Sequence, residues 1–266
     1  MDKYAITNQK GGVGKTTTAV NFAACLANLG KKVLVADLCH QCNATDHFGH
    51  PEPEREEESS WNLLVGKNPD VEALIRPITA NLSLIPAHPA LAEVDVASMP
   101  VVGREKRLRT ALSQIESRWD YCVIDCAPSL GVGTVNALTA ANTVIITVQT
   151  NRFALRGVTR LLKMIEDVKK NVNPELGFYA VATLHRKSVI IHKEILDALR
   201  ELFGDLALET VIHHTAALAE ASEVQQPVVV YASGSTAHQE YQAMTKEILK
   251  RAEQRRATKE VFEEAV

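Results

Sequence analysis

The segment Lys10-Gly11-Gly12-Val13-Gly14-Lys15-Thr16-Thr17 decides the fold of this chain. It is a compressed glycine-rich run that ends in a lysine and hydroxyl residues, the pattern of a phosphate-binding loop. The glycines let consecutive N–H groups point inward, Lys15 supplies positive charge, and the Thr16 hydroxyl suits Mg²⁺. The predicted nucleotide-binding residues are Lys10, Gly11, Gly12, Val13, Gly14, Lys15, Thr16 and Thr17.

The flanking residues have the pattern that such a loop requires. Tyr4–Thr7 is a short apolar run typical of a strand, and Thr17–Leu29 has the apolar spacing of a helix, which Gly30 ends. A loop between a strand and a helix places the unpaired amides of the helix N-terminus against the phosphates. The sequence therefore predicts that this turn binds a nucleotide with Mg²⁺.

Lys10 is one lysine more than a pocket built by one chain requires. Its presence is best explained if its side chain reaches the phosphates of a nucleotide held by a second copy of the protein. We therefore expect a homodimer that forms on nucleotide binding.

Strand-like runs rich in Val, Ile and Leu alternate with helical patterns along the chain. Continuous apolar strands between helices indicate a doubly wound, mostly parallel sheet with helices on both faces, a P-loop NTPase fold. We expect a single domain over residues 1–266, with a charged C-terminal helix at about 236–266. The predicted strands are Lys32–Asp37, Asn81–Pro86, Asp120–Asp125, Thr143–Gln149, Gly177–Leu184 and Leu208–Ile212. The predicted helices are Arg104–Ser117, Thr134–Ala141, Phe153–Lys170, Val189–Phe203 and Thr236–Glu253.

Composition narrows the class of protein. The 266 residues are 46% hydrophobic and 23% charged, with a formal net charge of −3, so any contact with nucleic acid must come from a local patch. No apolar run approaches the roughly 20 residues of a membrane-spanning helix, and no signal peptide precedes the first strand. Five cysteines without a secretory context favour free thiols. We expect a cytoplasmic protein with no membrane partner.

Two predicted strands end in a carboxylate. Four apolar residues precede Asp37, and the same pattern precedes Asp125. An aspartate at the carboxyl end of such a strand is the Walker B pattern and reaches the Mg²⁺ shell, usually through water. We assign the metal to Thr16 and Asp125, and we expect the turn-rich run Cys126–Gly131 to sense the γ-phosphate.

Three runs together resemble the ParA family of deviant Walker A ATPases, within the ParA/MinD superfamily: Asn8–Thr18, Asp125–Gly131 and Asn136–Ala141. The resemblance extends from about Lys3 to Leu249. It implies an ATP-sandwich dimer in which Lys10 crosses to the partner's phosphates. It also implies nonspecific DNA binding by the dimer, hydrolysis stimulated by a ParB-like or cargo adaptor protein, and a role in DNA partition or cargo positioning.

The chain departs from this family after Asp37. The family usually has a second aspartate two residues later, which orients the attacking water, and this chain has Cys39 there. A thiol is a poor hydrogen-bond acceptor, and losing a group of this kind costs about 10²–10⁴ in rate. We therefore expect ATP binding and dimerisation with slow turnover, and we name Lys10, Lys15 and Asp37 as the catalytic candidates.

The run Cys39-His40-Gln41-Cys42 has several interpretations. The C-x-x-C spacing suits a metal or a redox pair, and Cys122 and Cys126 lie on the neighbouring Walker B strand. Drift in a degenerate ATPase, or a substitution that locks the ATP-bound form, is the alternative.

DNA binding also departs from the family pattern. Family members usually have a proline and arginines before the L-x-E-A motif, where this chain has His213-His214-Thr215. We expect these three residues to line the base pocket. Positive charge lies elsewhere and predicts a DNA contact, with a solvated surface as the alternative. The candidate residues are Arg156, Arg160, Lys163, Arg186 and Lys187.

Other functions remain open at this point. The chain can be a catalytically degenerate nucleotide-sensing scaffold. A MinD-like positioning factor would need an amphipathic apolar and basic C-terminal helix, and the tail after Lys250 has little apolar surface. A relative of the nitrogenase iron protein would need paired cysteines at a dimer interface, for which Cys39 and Cys42 are the candidates.

Overall fold

The computed structural model describes residues 1–94, 102–152 and 154–264, and the side chains of 154–156 and 258–264 lie outside that description. Eight strands form one sheet in the order β3-β4-β2-β5-β1-β6-β7-β8, in which β3 runs antiparallel to β4 and the other described pairs are parallel. The strands are β1 Asp2–Thr7, β2 Val33–Leu38, β3 Arg76–Thr79, β4 Leu82–Ile85, β5 Tyr121–Cys126, β6 Thr143–Gln149, β7 Gly177–His185 and β8 Ala207–His213.

Helices cover both faces of this sheet. The α-helices are α1 Lys15–Asn28, α2 Asn43–His47, α3 Trp61–Val65, α4 Arg107–Ser113, α5 Val132–Ala140, α6 Ala154–Asn171, α7 Ile190–Phe203, α8 Ala216–Glu223, α9 Val228–Tyr231 and α10 Thr236–Glu264. Short 3-10 turns lie at Glu56–Glu58, Glu72–Leu74, Pro89–Glu93, Arg104–Lys106, Glu116–Arg118 and Gly204–Leu206.

The central strands are buried on both faces because their side chains alternate between two hydrophobic layers. In β1, Ala5 packs into the layer beneath α4 to α7, whereas Tyr4 and Ile6 pack into the layer beneath α1 and α8 to α10. β5 alternates in the same way, with Ile124 in the first layer and Val123 in the second. A strand covered twice must be apolar at successive positions, which explains the continuous Val, Ile and Leu runs.

The order of the strands fixes where a ligand binds. From β1 the chain passes to β2 on one side of the sheet, and from β5 it crosses back to β6 on the other side. Such a reversal opens a crevice at the carboxyl ends of the central strands. The glycine-rich loop follows β1, and both candidate aspartates lie at this same edge, with Asp37 and Asp125 paired in register across β2 and β5.

The doubly wound, mostly parallel sheet is confirmed, and the differences are local. The predicted helix Arg104–Ser117 is split into a 3-10 turn, α4 and a second 3-10 turn. Phe153, the predicted start of α6, lies outside the described residues. The edge strand β3 has no predicted counterpart, because Arg76–Thr79 is short and half-exposed and contains a proline. Across the described residues, no helix combines the length and apolar composition needed to cross a bilayer.

Candidate nucleotide site

The loop between β1 and α1 has the shape of a phosphate cradle. Gly12 and Gly14 have φ angles of +68° and +80°, which a residue with a Cβ adopts only under strain. The loop is fixed from behind: the Thr183 hydroxyl donates to the Val13 carbonyl at 2.8 Å, and the Asn8 amide donates to the Thr147 carbonyl at 2.6 Å. Glycine therefore provides the turn, and the side chains of Asn8, just after β1, and of Thr183 in β7 hold it in place.

Helix α1 presents free amides to this loop. Its first intrahelical hydrogen bond runs from the Thr18 N–H to the Gly14 carbonyl at 2.9 Å, so the preceding N–H groups have no partner within the helix. The helix has no side-chain cap, and its first turn carries no acidic residue. Nothing in this turn competes with an anion for those amides, and the helix dipole favours negative charge here.

Two lysines of the loop have different surroundings. Lys15 is buried, and its ammonium group donates to the Lys10 carbonyl at 2.9 Å, within the loop. Burial lowers the pKa of Lys15, and the charge of Asp125 opposes that shift. Lys10 is half-buried and donates instead to Gln149 Oε1 at 3.3 Å, at the carboxyl end of β6. Only Lys15 of this pair therefore points into its own loop.

Thr16 and Asp125, the two residues assigned to the metal, lie in contact. The Thr16 hydroxyl donates to Asp125 Oδ2 at 2.7 Å, and Asp125 is fully buried at the end of β5. Its other oxygen, Oδ1, has no hydrogen-bond partner among the described residues. Burial, together with the charge of Asp37, raises the pKa of Asp125. An unpartnered carboxylate oxygen beside a hydroxyl fits a hard cation such as Mg²⁺ and its bound water.

Asp37 accepts hydrogen bonds from the segment that follows β2. Its Oδ1 accepts from the Cys39 N–H at 3.0 Å, and its Oδ2 accepts from the N–H and the hydroxyl of Thr45 at 2.9 and 2.8 Å. Asp125, and not Asp37, is the carboxylate whose charge acts on Lys15. The carboxylate of Asp37 therefore holds the loop after β2, at a position paired with Asp125 on the neighbouring strand, and a catalytic role for Asp37 stays a proposal.

We expect Asp37→Ala to destabilise the protein by about 2–4 kcal/mol, because three buried donors on Cys39 and Thr45 lose their acceptor. The urea unfolding midpoint measures this loss. Asp197→Ala, at an exposed position of α7, is the matched control and should leave the midpoint unchanged. Equal midpoints for both variants would contradict the holding role.

The cysteines at this edge are buried thiols. Cys39 is 3% exposed, and all five cysteines are free and buried. Burial raises the pKa of Cys39 and of Cys42 to about 12, so both are neutral thiols and poor nucleophiles. Within the described ranges, no three His, Cys, Asp or Glu side chains form a group that could hold a metal ion. These observations disfavour the metal and redox interpretations of the C-x-x-C run.

A small cavity of about 170 Å³ lies over the loop. It is the space in which the outer phosphates of a nucleotide would lie, beside the residue that departs from the family pattern. Its lining consists of Gly11, Gly12, Gly14, Lys15, Thr16, Thr17, Cys39, Gln41, Asn43, Cys126 and Pro128.

A second cavity of about 310 Å³ continues from Gly14 and Thr17 toward β8 and α8. His214 and Thr215 line it, and the Thr215 hydroxyl has no hydrogen-bond partner in the described part of the chain. A cleft with apolar side chains and an unpartnered hydroxyl suits a nucleobase. Apolar and polar groups share the lining, which also contains Thr183, Leu184, Ile212, Leu218, Ala219, Ser222, Glu223 and Tyr241.

His213 lies apart from this cavity. Its Nδ1 lies 2.6 Å from Glu240 Oε1 of α10, and its ring stacks edge-on against His185 at 5.2 Å between centroids. The side chains of a strand alternate, so Ile212 and His214 share the cavity side while His213 turns away. The prediction that His213 lines the base pocket is therefore corrected.

The predicted DNA-contacting residues are exposed where they are described. Arg160 and Lys163 lie on α6, and Arg186 and Lys187 follow β7. Arg186 also approaches His214 Nε2 at 3.3 Å, which places it at the margin of the base cavity. The side chain of Arg156 lies outside the described residues.

Sequence reasoning missed several residues that shape the site. Asn8 and Thr183 brace the loop, and Thr45 anchors the segment after β2. Asn8 and Thr45 each lie among other polar residues close to the motifs, so no local pattern distinguished them. Thr183 carried no signal either, because its contact with Val13 spans 170 positions of the chain.

These features define a class of protein: a P-loop nucleotide-binding protein with a Walker B aspartate beside the loop hydroxyl. A family model described as "AAA domain" matches residues 1–178. The chain is 39% identical over 246 residues to the sporulation initiation inhibitor protein Soj of Bacillus subtilis, covering 92% of this chain and 96% of that protein. It is 36% identical over 256 residues to the chromosome partitioning protein ParA of Caulobacter vibrioides, covering 95% and 96%.

A solved structure is also similar. Cobyrinic acid a,c-diamide synthase from Mycobacterium smegmatis, with a bound ATP analogue and magnesium, superposes with a TM-score of 0.83 at 30% identity over 95% of this chain and 96% of that chain. With these relatives and the site geometry together, the chain belongs to the ParA/MinD family of ATPases.

Proposed function

We propose that this protein is an ATP-binding dimeric switch of the ParA type, which acts in DNA segregation or in positioning an intracellular cargo. The names of its relatives support the partition role, since they include a chromosome partitioning protein. The magnesium and nucleotide bound by the similar synthase support ATP and Mg²⁺ as the ligands. In this chain, Lys15 and the amides of α1 hold the phosphates, and Thr16 and Asp125 hold the metal.

The position of Lys10 supports the dimer. Lys15 already fills the loop from inside, and Lys10 points along the sheet edge to Gln149. A cation at the rim of the loop is available to the phosphates of a facing subunit. The sandwich dimer is therefore the arrangement in which both lysines contact phosphate.

The catalytic step is proposed to be slow. Cys39 occupies the cavity position from which the family's carboxylate acts, and its neutral thiol accepts hydrogen bonds weakly. The presence of Cys39 in place of a carboxylate also supports a second candidate, a nucleotide-sensing scaffold that binds ATP and dimerises without turnover. The two candidates differ only in the rate at which ADP is formed.

ATP turnover and light scattering on the same sample test the proposal. With Mg²⁺ and ATP, the mass should rise from that of a 29.1 kDa chain to twice that value, with slow ADP formation. A monomer at saturating nucleotide would overturn the switch. A dimer that forms no ADP would favour the nucleotide-sensing scaffold over the slow ATPase.

We propose that the ATP-bound dimer also binds DNA, through Arg160, Lys163, Arg186 and Lys187. In the presence of ATP, we expect Arg186→Ala with Lys187→Ala to weaken binding of random-sequence duplex and to reduce the salt slope by about 2, because each lost phosphate contact releases one counterion fewer. A filter-binding series across salt concentrations measures the slope.

The control for this pair is Lys31→Ala with Lys32→Ala. This variant removes two exposed lysines that lie just before β2, at the amino ends of the parallel strands. That variant should retain the wild-type slope. Equal slopes in the two double variants, or no ATP-dependent binding at low salt, would exclude the assigned patch. An adaptor protein of the ParB kind is the proposed stimulator of hydrolysis.

A further inference from the structure

The turn after β2 is a fixed frame over the phosphate cavity. The Cys42 N–H donates to the Cys39 carbonyl at 2.9 Å, which closes a β-turn, and Cys42 then begins α2 with a φ of +54°. Asp37 holds the start of the turn through the Cys39 N–H and its end through Thr45. Because the backbone is held at both ends, the side chains at positions 39 and 41 project from defined points.

Gln41 is the polar side chain that this frame places beside Cys39. Both residues line the phosphate cavity, and Gln41 Oε1 lies 4.0 Å from Cys39 Sγ. Within the described part of the chain, this is the one hydrogen-bond contact of the Gln41 side chain. A thiol is a weak donor, so the contact restrains the exposed carboxamide little.

A carboxamide has the groups that water positioning requires. Its oxygen accepts a hydrogen bond from water while its nitrogen donates to a phosphate oxygen. In P-loop GTPases a glutamine orients the attacking water in this way. Asn43 is the other side-chain amide that lines the cavity, and it is the first residue of α2. Gln41, by contrast, contacts Cys39 Sγ, at the position where the family has its carboxylate.

We propose that Gln41 orients the attacking water in this protein, in place of the carboxylate that Cys39 has replaced. The inference rests on the proposed ATP-binding function. The water oxygen forms a bond to the γ-phosphorus, and the bond from that phosphorus to the β–γ bridging oxygen breaks. ADP leaves with that electron pair, and the water proton passes to a γ-phosphate oxygen. Gln41 holds the water by hydrogen bonds and exchanges no proton with it.

The test uses the full chain and five proteins: wild type, Gln41→Ala, His40→Ala, Cys39→Asp, and Cys39→Asp with Gln41→Ala. His40 is exposed on the same turn and does not line the cavity, so it is the matched control. Three quantities are measured: kcat, the dissociation constant of a fluorescent ATP analogue, and the dimer mass with ATP.

We expect Gln41→Ala to lower kcat at least about tenfold, which is less than the roughly 10²–10⁴-fold contributed by general acid–base groups, because Gln41 exchanges no proton with the water. The dissociation constant should stay within about twofold and the dimer should persist, because the interaction exists only with the reacting water. His40→Ala should match the wild type. In the Cys39→Asp background, the effect of Gln41→Ala should fall below about threefold, since the carboxylate then holds the water.

Several results would overturn this assignment: an unchanged kcat in Gln41→Ala, an equal loss in His40→Ala, an undiminished loss in the Cys39→Asp background, or a wild type with no measurable turnover. If the wild type neither binds the analogue nor dimerises, the proposed function fails as well. If it does both and Gln41→Ala keeps its kcat, only the role of Gln41 fails.

Discussion

Lys10→Ala is expected to weaken the ATP-dependent dimer by at least about 100-fold while leaving the ATP affinity of the monomer nearly unchanged. In the sandwich arrangement each subunit contributes one ammonium group to its partner's phosphates, so the substitution removes two charged contacts from each dimer. Truncating one partner of a buried charge pair costs on the order of 2–5 kcal/mol. Removal of the contact with Gln149 Oε1 costs little, because that acceptor is neutral and half-buried.

Light scattering over a range of protein concentrations, with saturating Mg²⁺ and ATP, measures the dimer. Lys31→Ala serves as the control, because it removes an exposed lysine just before β2, at the amino ends of the parallel strands. A Lys10→Ala protein that dimerises as well as the wild type would refute the exchange of lysines between subunits. It would leave nucleotide binding by the loop intact.

Cys39→Asp is expected to raise ATP turnover by about 10²–10⁴-fold, the range over which a positioned proton acceptor accelerates a reaction. The backbone already suits the carboxylate, because Asp37 fixes the Cys39 N–H at 3.0 Å and the side chain faces the phosphate cavity. Faster hydrolysis should also shorten the lifetime of the ATP-bound dimer.

Cys39→Ser is the control for this gain. A serine is close to cysteine in size and adds a hydroxyl, but it carries no charge to attract the water proton, so turnover should rise far less. Phosphate release under multiple-turnover conditions distinguishes the two variants. Equal rates for Cys39→Asp, Cys39→Ser and the wild type would show that position 39 does not limit hydrolysis.

At position 39, the sequence and the structure supported different conclusions about ATP hydrolysis. The sequence located a departure from a family pattern, and from the thiol's weak acceptor strength it predicted a slow enzyme. The structure added that the thiol is buried against the cavity and that Gln41 lies beside it. The first conclusion needed only residue chemistry, whereas the second needed the path of the turn.

Features that depend on neighbouring residues were predictable from the sequence. The glycine-rich loop, the helix after it, and the strands that end at Asp37 and Asp125 follow from local pattern, because burial on both faces makes a strand continuously apolar. The parallel sheet and the meeting of Thr16 with Asp125 follow in turn, since strand ends of one direction share an edge.

The tertiary structure alone decided which partners the site residues have. The Asp37 carboxylate accepts from Thr45 because a buried carboxylate must be hydrogen-bonded. Which donors are within reach depends on the path of the chain between β2 and α2. His213 turned from the base cavity to Glu240 because β8 extends one residue further than expected and α10 packs beside it. Local sequence sets the backbone period, but hydrogen-bond satisfaction across distant segments selects the partners.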